Sequence, residues 1–399
     1  MDYSDNRIAD YRGDSSIRRG AMDVPFLLLT LLLLTIGVVM VLSASFARAY
    51  YAGASATYYF TRQLFFAVSG VAIMIVASRF PIGFYRRFST IILLFSLVLL
   101  ALVLIGGENS GGATRWFTIG GITFQPSEIA KAAVILFDAG LVCRYKNRMG
   151  SFRYGVLPFV IVAGLVVGLL ILEPHLSGSI IILLVTATIM FLGGTRLFWF
   201  ILGGGGVLLG GVVVINILAY SSERISAWRD PFADTGDTGY QIVQSLYAIG
   251  SGGLTGLGLG NSRQKYLYLP EEHNDFIFSV VCEELGFIGA SLILLLFALL
   301  IIRGFYLAMH CRDRYSFLVC AGFTALLAFQ VILNVGVVTN LLPCTGISLP
   351  FFSYGGTALW LQLAEMGIIL SISRDIPEKK FVRERGKKTK RAVREGAQT

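Results

Sequence analysis

Long apolar runs separated by short polar breaks make up most of this chain. Runs of about 18 or more apolar residues predict membrane spans, because a helix satisfies its own backbone hydrogen bonds in lipid. Such runs lie near 22–44, 62–79, 88–107, 127–143, 156–173, 178–194, 197–220, 276–302, 316–341 and 353–373. The run at 127–143 is short and carries Glu128, Lys131 and Asp138. The pattern therefore predicts an all-α, polytopic membrane protein of about ten helices, with a large extracytoplasmic loop at 221–274 between helices seven and eight. A polar N-terminal tail spans 1–21, the membrane domain 22–374, and a basic tail 375–399.

Charge tests that topology independently, since Lys and Arg concentrate in cytoplasmic segments. With the N-terminus inside, 25 of the 33 basic residues fall on the cytoplasmic side. Arg48, Arg62, Arg115, Lys131, Arg224, Arg229, Arg263 and Lys265 are the remaining eight. An odd number of spans would put the basic tail outside, so both termini are expected in the cytoplasm. The net charge of +9 is then topological and gives no sign of nucleic-acid binding. The tail is a candidate contact for anionic membrane lipids, or a plain orientation anchor. A composition of 55% hydrophobic and 14% charged residues, with mean hydropathy +0.72, argues against a soluble enzyme. The five cysteines show neither C-x-x-C spacing nor a His cluster, which argues against a redox or zinc site.

Polar residues inside or beside apolar helices carry the candidate chemistry, because ionisable groups there are costly. Between helices three and four, paired glycines around Arg115-Trp116 and Ile119 predict a hairpin-like loop. Pro126-Ser127-Glu128 reads as a helix start capped by Ser127, with Glu128 and Lys131 paired at i, i+3. That pair is either structural or the lining of a functional cavity. Glu173-Pro174-His175 breaks the fifth and sixth helices and puts an acid and an imidazole on the outer side. In the large loop, Gln241 to Ile249 reads as a surface-lying amphipathic helix. The glycines from Gly250 to Gly260 then suggest turns whose N–H groups converge. With Arg229, Arg263 and Lys265 nearby, such a nest suits a pyrophosphate; the plainer reading is a flexible loop. Asp275 follows in Leu269-Pro270-Glu271-Glu272-His273-Asn274-Asp275-Phe276-Ile277-Phe278, at the expected start of the eighth helix. Glu283-Glu284 lie about two turns further on, and Gln330, Asn334, Ser353, Gln362 and Glu365 add polar groups to the last two helices. Together they predict one outward-facing cavity, with Glu173, His175, Glu283, Glu284, Asn334 and Ser353 as lining or structural residues.

Several of these stretches together resemble the SEDS family (shape, elongation, division and sporulation), the RodA and FtsW group of bacterial membrane proteins. They are Arg115-Trp116, Phe124-Gln125-Pro126-Ser127-Glu128-Ile129-Ala130-Lys131, Gly239-Tyr240-Gln241 through Gly253, the Asp275 stretch, Glu283-Glu284-Leu285-Gly286, and Leu349-Pro350-Phe351-Phe352-Ser353-Tyr354-Gly355-Gly356. Their order matches the family's, and the extended N-terminus and basic tail look closer to its division and sporulation branch. One departure is Glu173-Pro174-His175, where many members have Pro-Asp.

The resemblance implies a peptidoglycan glycosyltransferase of the bacterial cytoplasmic membrane, polymerising lipid II with a class B penicillin-binding protein transpeptidase as partner. It matches Asp275 to the family's essential acid, Glu128 and Lys131 to its paired charges and Arg115 to its loop arginine. It also implies inversion at the donor carbon, hence a single displacement. Sugar transfer of this kind needs a base for the acceptor hydroxyl and cations for the departing pyrophosphate. Asp275 is the expected base. Arg115, Lys131, Arg229, Arg263 and Lys265 are the expected anion-binding groups, with Glu128 beside them and a magnesium or manganese ion as an optional helper. The rivals are a lipid II flippase, which predicts inverted repeats and mid-membrane charges, and a scaffold that only recruits the transpeptidase. No internal repeat is visible, and a scaffold leaves Asp275 unexplained.

Overall fold

The computed structural model describes residues 20–110, 113–120, 122–206, 226, 228–233 and 239–376. Most of both tails, residues 207–220 of the seventh expected span, Arg224 and the polar run 234–238 lie outside the described residues.

The helices are α1 Val24–Tyr51, α2 Tyr58–Ala77, α3 Ile82–Gly106, α4 Pro126–Tyr145, α5 Leu157–Leu172, α6 Leu176–Leu192, α7 Leu197–Gly206, α8 Tyr240–Gly252, α9 Ile277–Met309, α10 Arg314–Val338 and α11 Gly356–Ser373. Seven candidate spans among the described residues are long and apolar enough to cross a membrane; they run on α1, α2, α3, α5 with its preceding turn, α9, α10 and α11. α6 and α7 are shorter apolar helices, and α4 carries charge. The protein is thus a polytopic helical membrane protein, as the apolar runs predict. Its one departure from all-α is a small antiparallel sheet between α3 and α4: β1 Glu108–Ser110, β2 Ala113–Ile119 and β3 Ile122–Phe124, in the order β1-β2-β3. This is the hairpin expected around Trp116, with one more strand.

Burial separates centre from rim. The apolar windows of α10 and α11 are 72% buried, whereas that of α3 is 28% buried and leaves Ile91, Leu94 and Phe95 outward. Only lipid accepts such a face without cost. α11 packs chiefly on α2, and α10 contacts α4, α6, α9 and α11. Small residues permit these approaches. A Cβ at Gly37 of α1 would meet the Phe351 carbonyl, and one at Gly367 of α11 the backbone of Met74.

Two helix starts differ from expectation. The residue before α4 is Gln125, and Pro126 takes the first helical position, where its missing N–H costs nothing. Ser127 is therefore not the cap; its hydroxyl is buried without a hydrogen-bond partner. α9 begins at Ile277, so Asp275 stands just ahead of the helix, in the preceding turn.

α9 is also broken. Gly286 adopts φ 68° and ψ −173°, which interrupts the helical ladder. The freed groups pair with the glycine-rich loop: Leu257 N donates to Glu283 O and Gly258 N to Glu284 O, both at 3.0 Å. Phe287 N and Ile288 N donate in return to Gly253 O and Leu254 O, at 2.9 and 3.1 Å. α8 lies beside this break with Ile242, Val243 and Ala248 buried, and Ser245 bridges to Ser279 and Val338.

Candidate active site

A cavity of about 570 Å³ opens among the sheet, the N-terminal ends of α4 and α6, the turn before α9, and the loop 346–355. Asp275 lines it, its Oδ2 lying 3.1 Å from where a Cβ on Gly346 would sit. Gly346 has φ +70°, so a side chain there would be strained and would also crowd the acid.

Three consecutive carbonyls fix this turn. Tyr354 N donates to His273 O at 2.9 Å, Ser353 Oγ to Asn274 O at 2.8 Å, and Asn334 Nδ2 to Asp275 O at 2.8 Å. Asn334 Nδ2 also donates to Ile347 O, and Ser353 Oγ accepts from Leu349 N. These two side chains thus stitch the Asp275 turn to the facing loop. α1 adds a clamp from behind, Arg48 gripping Glu272 through two bonds of 2.8 and 2.7 Å. Glu271 and Phe351, both lining the cavity, hold left-handed backbone angles of φ 55° and 63°. Such strain persists only where the surroundings enforce it.

Across the cavity, Lys131 pairs with Glu128 at 2.7 Å, and both line it. Arg115 on β2 also faces in, donating to the carbonyls of Glu173 and, very closely, Pro174. The Glu173 carboxylate itself is buried behind the wall with neither oxygen hydrogen-bonded, so it supports the Arg115 loop through its backbone. His175 lines the cavity. Burial first, then the charges of Arg115 and Lys131, push its imidazole down to about 3, so it is neutral at physiological pH. Its ring lies against Gly178, where a Cβ would come within 3.1 Å.

The glycine nest is a correction. Leu257 N and Gly258 N of the glycine run turn inward onto the backbone carbonyls of Glu283 and Glu284, and the N–H groups of Ser262, Arg263 and Gln264 turn onto those residues' carboxylates. Glu283 accepts from the backbone of Arg263 at 2.9 Å and from Ser262 Oγ and Ser251 Oγ. Glu284 accepts from Ser43 Oγ at 2.7 Å, from Ser262 N at 3.2 Å and from Lys265 Nζ at 3.0 Å. Lys265 is only 2% exposed and is consumed by this cluster, which lies outside the cavity. The structure thus does not bring Lys265 to the cavity. Arg229 and Arg263 are exposed and do not line the cavity either. Of the expected cations, the cavity is lined by Arg115 and Lys131.

The cavity also includes groups not singled out as site residues: Glu108, Glu271, Gln330, Gln362 and Glu365. The three on α10 and α11 had a signal, a polar residue within an apolar run. Glu108 and Glu271 had none. Among the described residues no three His, Cys, Asp or Glu side chains converge as metal ligands, so a metal cage built by the protein does not fit here.

Fold and site define a polytopic membrane protein whose polar cavity is lined by five acids, Asp275 among them, together with Arg115, Lys131 and His175. The FtsW/RodA/SpoVE family, described as cell cycle proteins, matches residues 24–377, and the chain belongs to this family. It is 39% identical to Stage V sporulation protein E of Bacillus subtilis over 90% of this chain and 98% of the relative. It is 40% identical to the probable peptidoglycan glycosyltransferase FtsW of Trichlorobacter lovleyi, over 89% of this chain and 94% of the relative. Among solved structures, a chain of a peptidoglycan synthase complex, from work on the coordination of polymerization and crosslinking, superposes with TM-score 0.73 at 30% identity, covering 89% of this chain and 98% of that one. Rod shape determining protein RodA of Thermus thermophilus gives TM-score 0.66 at 29% identity, over 90% and 99% of the two chains. These relatives agree with the motif resemblance and with its division and sporulation branch.

Proposed function

We propose that the chain is a peptidoglycan glycosyltransferase that polymerises lipid II at the outer face of the bacterial cytoplasmic membrane during division or sporulation. Asp275 is its general base. Its carboxylate takes the proton from the acceptor sugar hydroxyl as that oxygen bonds to the donor's anomeric carbon. The bond from that carbon to the pyrophosphate breaks, and the lipid pyrophosphate leaves with the electron pair. Arg115 and Lys131 face the leaving anion, and Glu128 orients Lys131. A single displacement of this kind needs no second carboxylate as nucleophile.

The observation that supports this reading most is the pinning of one acid. Three successive carbonyls around Asp275 are held by neighbouring groups, and its side chain faces a hollow that also contains the Glu128–Lys131 ion pair. Preorganisation of this sort is what a proton-transfer site requires. In the same reading both termini lie in the cytoplasm, 22–374 forms the membrane domain, and a class B penicillin-binding protein crosslinks the product. A magnesium or manganese ion, if used, arrives on the substrate's phosphates.

Purified protein with its transpeptidase partner should make glycan strands from lipid II, and Asp275→Asn should lower the rate by about 10²–10⁴-fold with partner binding intact. Strand synthesis by the Asn variant at the parent rate would refute the base assignment. Retained binding without synthesis separates an enzyme from a scaffold.

A further inference from the structure

At the far end of α4, about 30 Å from its cavity end at 1.5 Å per residue, the chain builds a second hollow. It has a volume of about 440 Å³ and is lined by Arg144, Tyr145, Lys146, Asn147, Arg148 and Tyr154. Three cations line it and no acid does. None of the three forms an ion pair with a described residue. The last carbonyls of α4 offset only about half a charge, so the hollow retains a strong positive potential.

The surrounding turn is well fixed. Lys146 ends α4 with φ 42°, the short 3₁₀ turn Lys146–Arg148 follows, and Met149 anchors it at 2% exposure. A Cβ on Gly155 would collide with the Met149 carbonyl. Tyr145 and Tyr154 pack at 5.4 Å, and the Arg148 guanidinium sits 5.3 Å from the Tyr154 ring. Three cations are thus held together by a rigid, half-aromatic turn rather than spread apart by their mutual repulsion.

The neighbourhood indicates the ligand. Phe152 packs tilted on Trp199 at 5.0 Å and Phe198 edge-to-face on Trp199 at 5.1 Å, with Phe152 and Phe198 exposed. Trp199, with Tyr145 and Tyr154 of the hollow, is of the residue type enriched at the membrane–water interface. Arg196 adjoins the same turn, its Nε 3.3 Å from a Cβ position on Gly150. We infer that this hollow is a phosphate-binding site for the headgroup of an anionic phospholipid, whose acyl chains lie along the exposed aromatic and aliphatic surface beside it. The site is separate from the Asp275 cavity and does not depend on the reaction assigned there.

Native mass spectrometry of the purified full-length chain, titrated with phosphatidylglycerol or phosphatidylcholine, tests this. The parent should bind phosphatidylglycerol preferentially. The variant carrying Arg144→Gln, Lys146→Gln and Arg148→Gln should bind it on the order of a hundredfold more weakly. Arg148→Gln alone should show a several-fold loss, and serves if the triple variant melts earlier than the parent. A tail variant with Lys387→Gln, Lys388→Gln and Lys390→Gln should bind as the parent does. Equal binding by the parent and the Arg148→Gln variant, or no preference between the two lipids, would overturn the site. Displacement of the lipid by an equal concentration of inorganic phosphate would overturn the lipid assignment in favour of a free anion.

Discussion

Two acidic clusters stand at the head of α9, less than three helical turns apart, and they end differently. Glu283 and Glu284 are saturated: backbone N–H groups, three serines and Lys265 occupy their oxygens, and neither lines the Asp275 cavity. Asp275 has its carbonyl held by Asn334 Nδ2 and its side chain lining the cavity. The first arrangement is a lock and the second, in the proposed function, a tool. In or beside a membrane helix both begin as costly charges. What separates them is position: Glu283 and Glu284 do not line the cavity, and Asp275 does.

That contrast can be broken from either side. The largest effects are expected from its two extremes. Asp275→Asn should lose glycan synthesis while its thermal melting stays at the parent value. Lys265→Met should do the reverse, leaving Glu284 buried without its cation at a cost of about 3–5 kcal/mol, read as lost yield and a lower melting temperature. If Lys265→Met kept full stability and lost only activity, the cluster would belong with the catalytic cavity.

Glu128 and Lys131 come next. Glu128→Ala and Lys131→Ala should each impair synthesis, with the double variant no worse than the weaker single variant, as for two groups acting as a unit. Fully additive losses would mean separate roles.

The third effect is one of pH. The buried His175 stays neutral down to about 3, whereas the same side chain in the unfolded chain protonates near 6.5. Below 6.5 the unfolded state therefore binds the extra proton, and stability falls as pH drops toward 3. His175→Gln should flatten that acidic limb of the melting curve. An unchanged slope would place the titration elsewhere.

The smallest expected effect is Ser353→Ala, which removes two hydrogen bonds of the stitch at a cost of about 1–3 kcal/mol. Its signature is a fall in turnover greater than the change in substrate affinity, since the residue positions Asp275 without touching the reacting atoms.

The apolar runs carried the spans, because lipid demands unbroken hydrophobic length and leaves a signal that needs no partner. Asp275, Arg115, Glu128 and Lys131 were legible for a related reason: motif order and the cost of charge both mark them. The fate of the large loop was not legible. Its glycines and cations suit an anion equally well whether that anion is a substrate or the protein's own Glu283 and Glu284. Only the break at Gly286, two residues beyond Glu284, decides it, and one glycine in an apolar helix gives no warning of a kink. Ser127 failed similarly, since Pro126 could open the helix from either side of a cap.

The same break sets a limit on how this protein can be rebuilt. Four backbone groups of α9 near Gly286 are answered by loop atoms rather than by the helix. A chimera that imported the loop from a relative, or straightened α9 with Gly286→Ala, would strand those groups in a low-dielectric layer. Loop and helix must therefore be exchanged as one graft, with both glycines of the crossing, Gly256 and Gly286, travelling together.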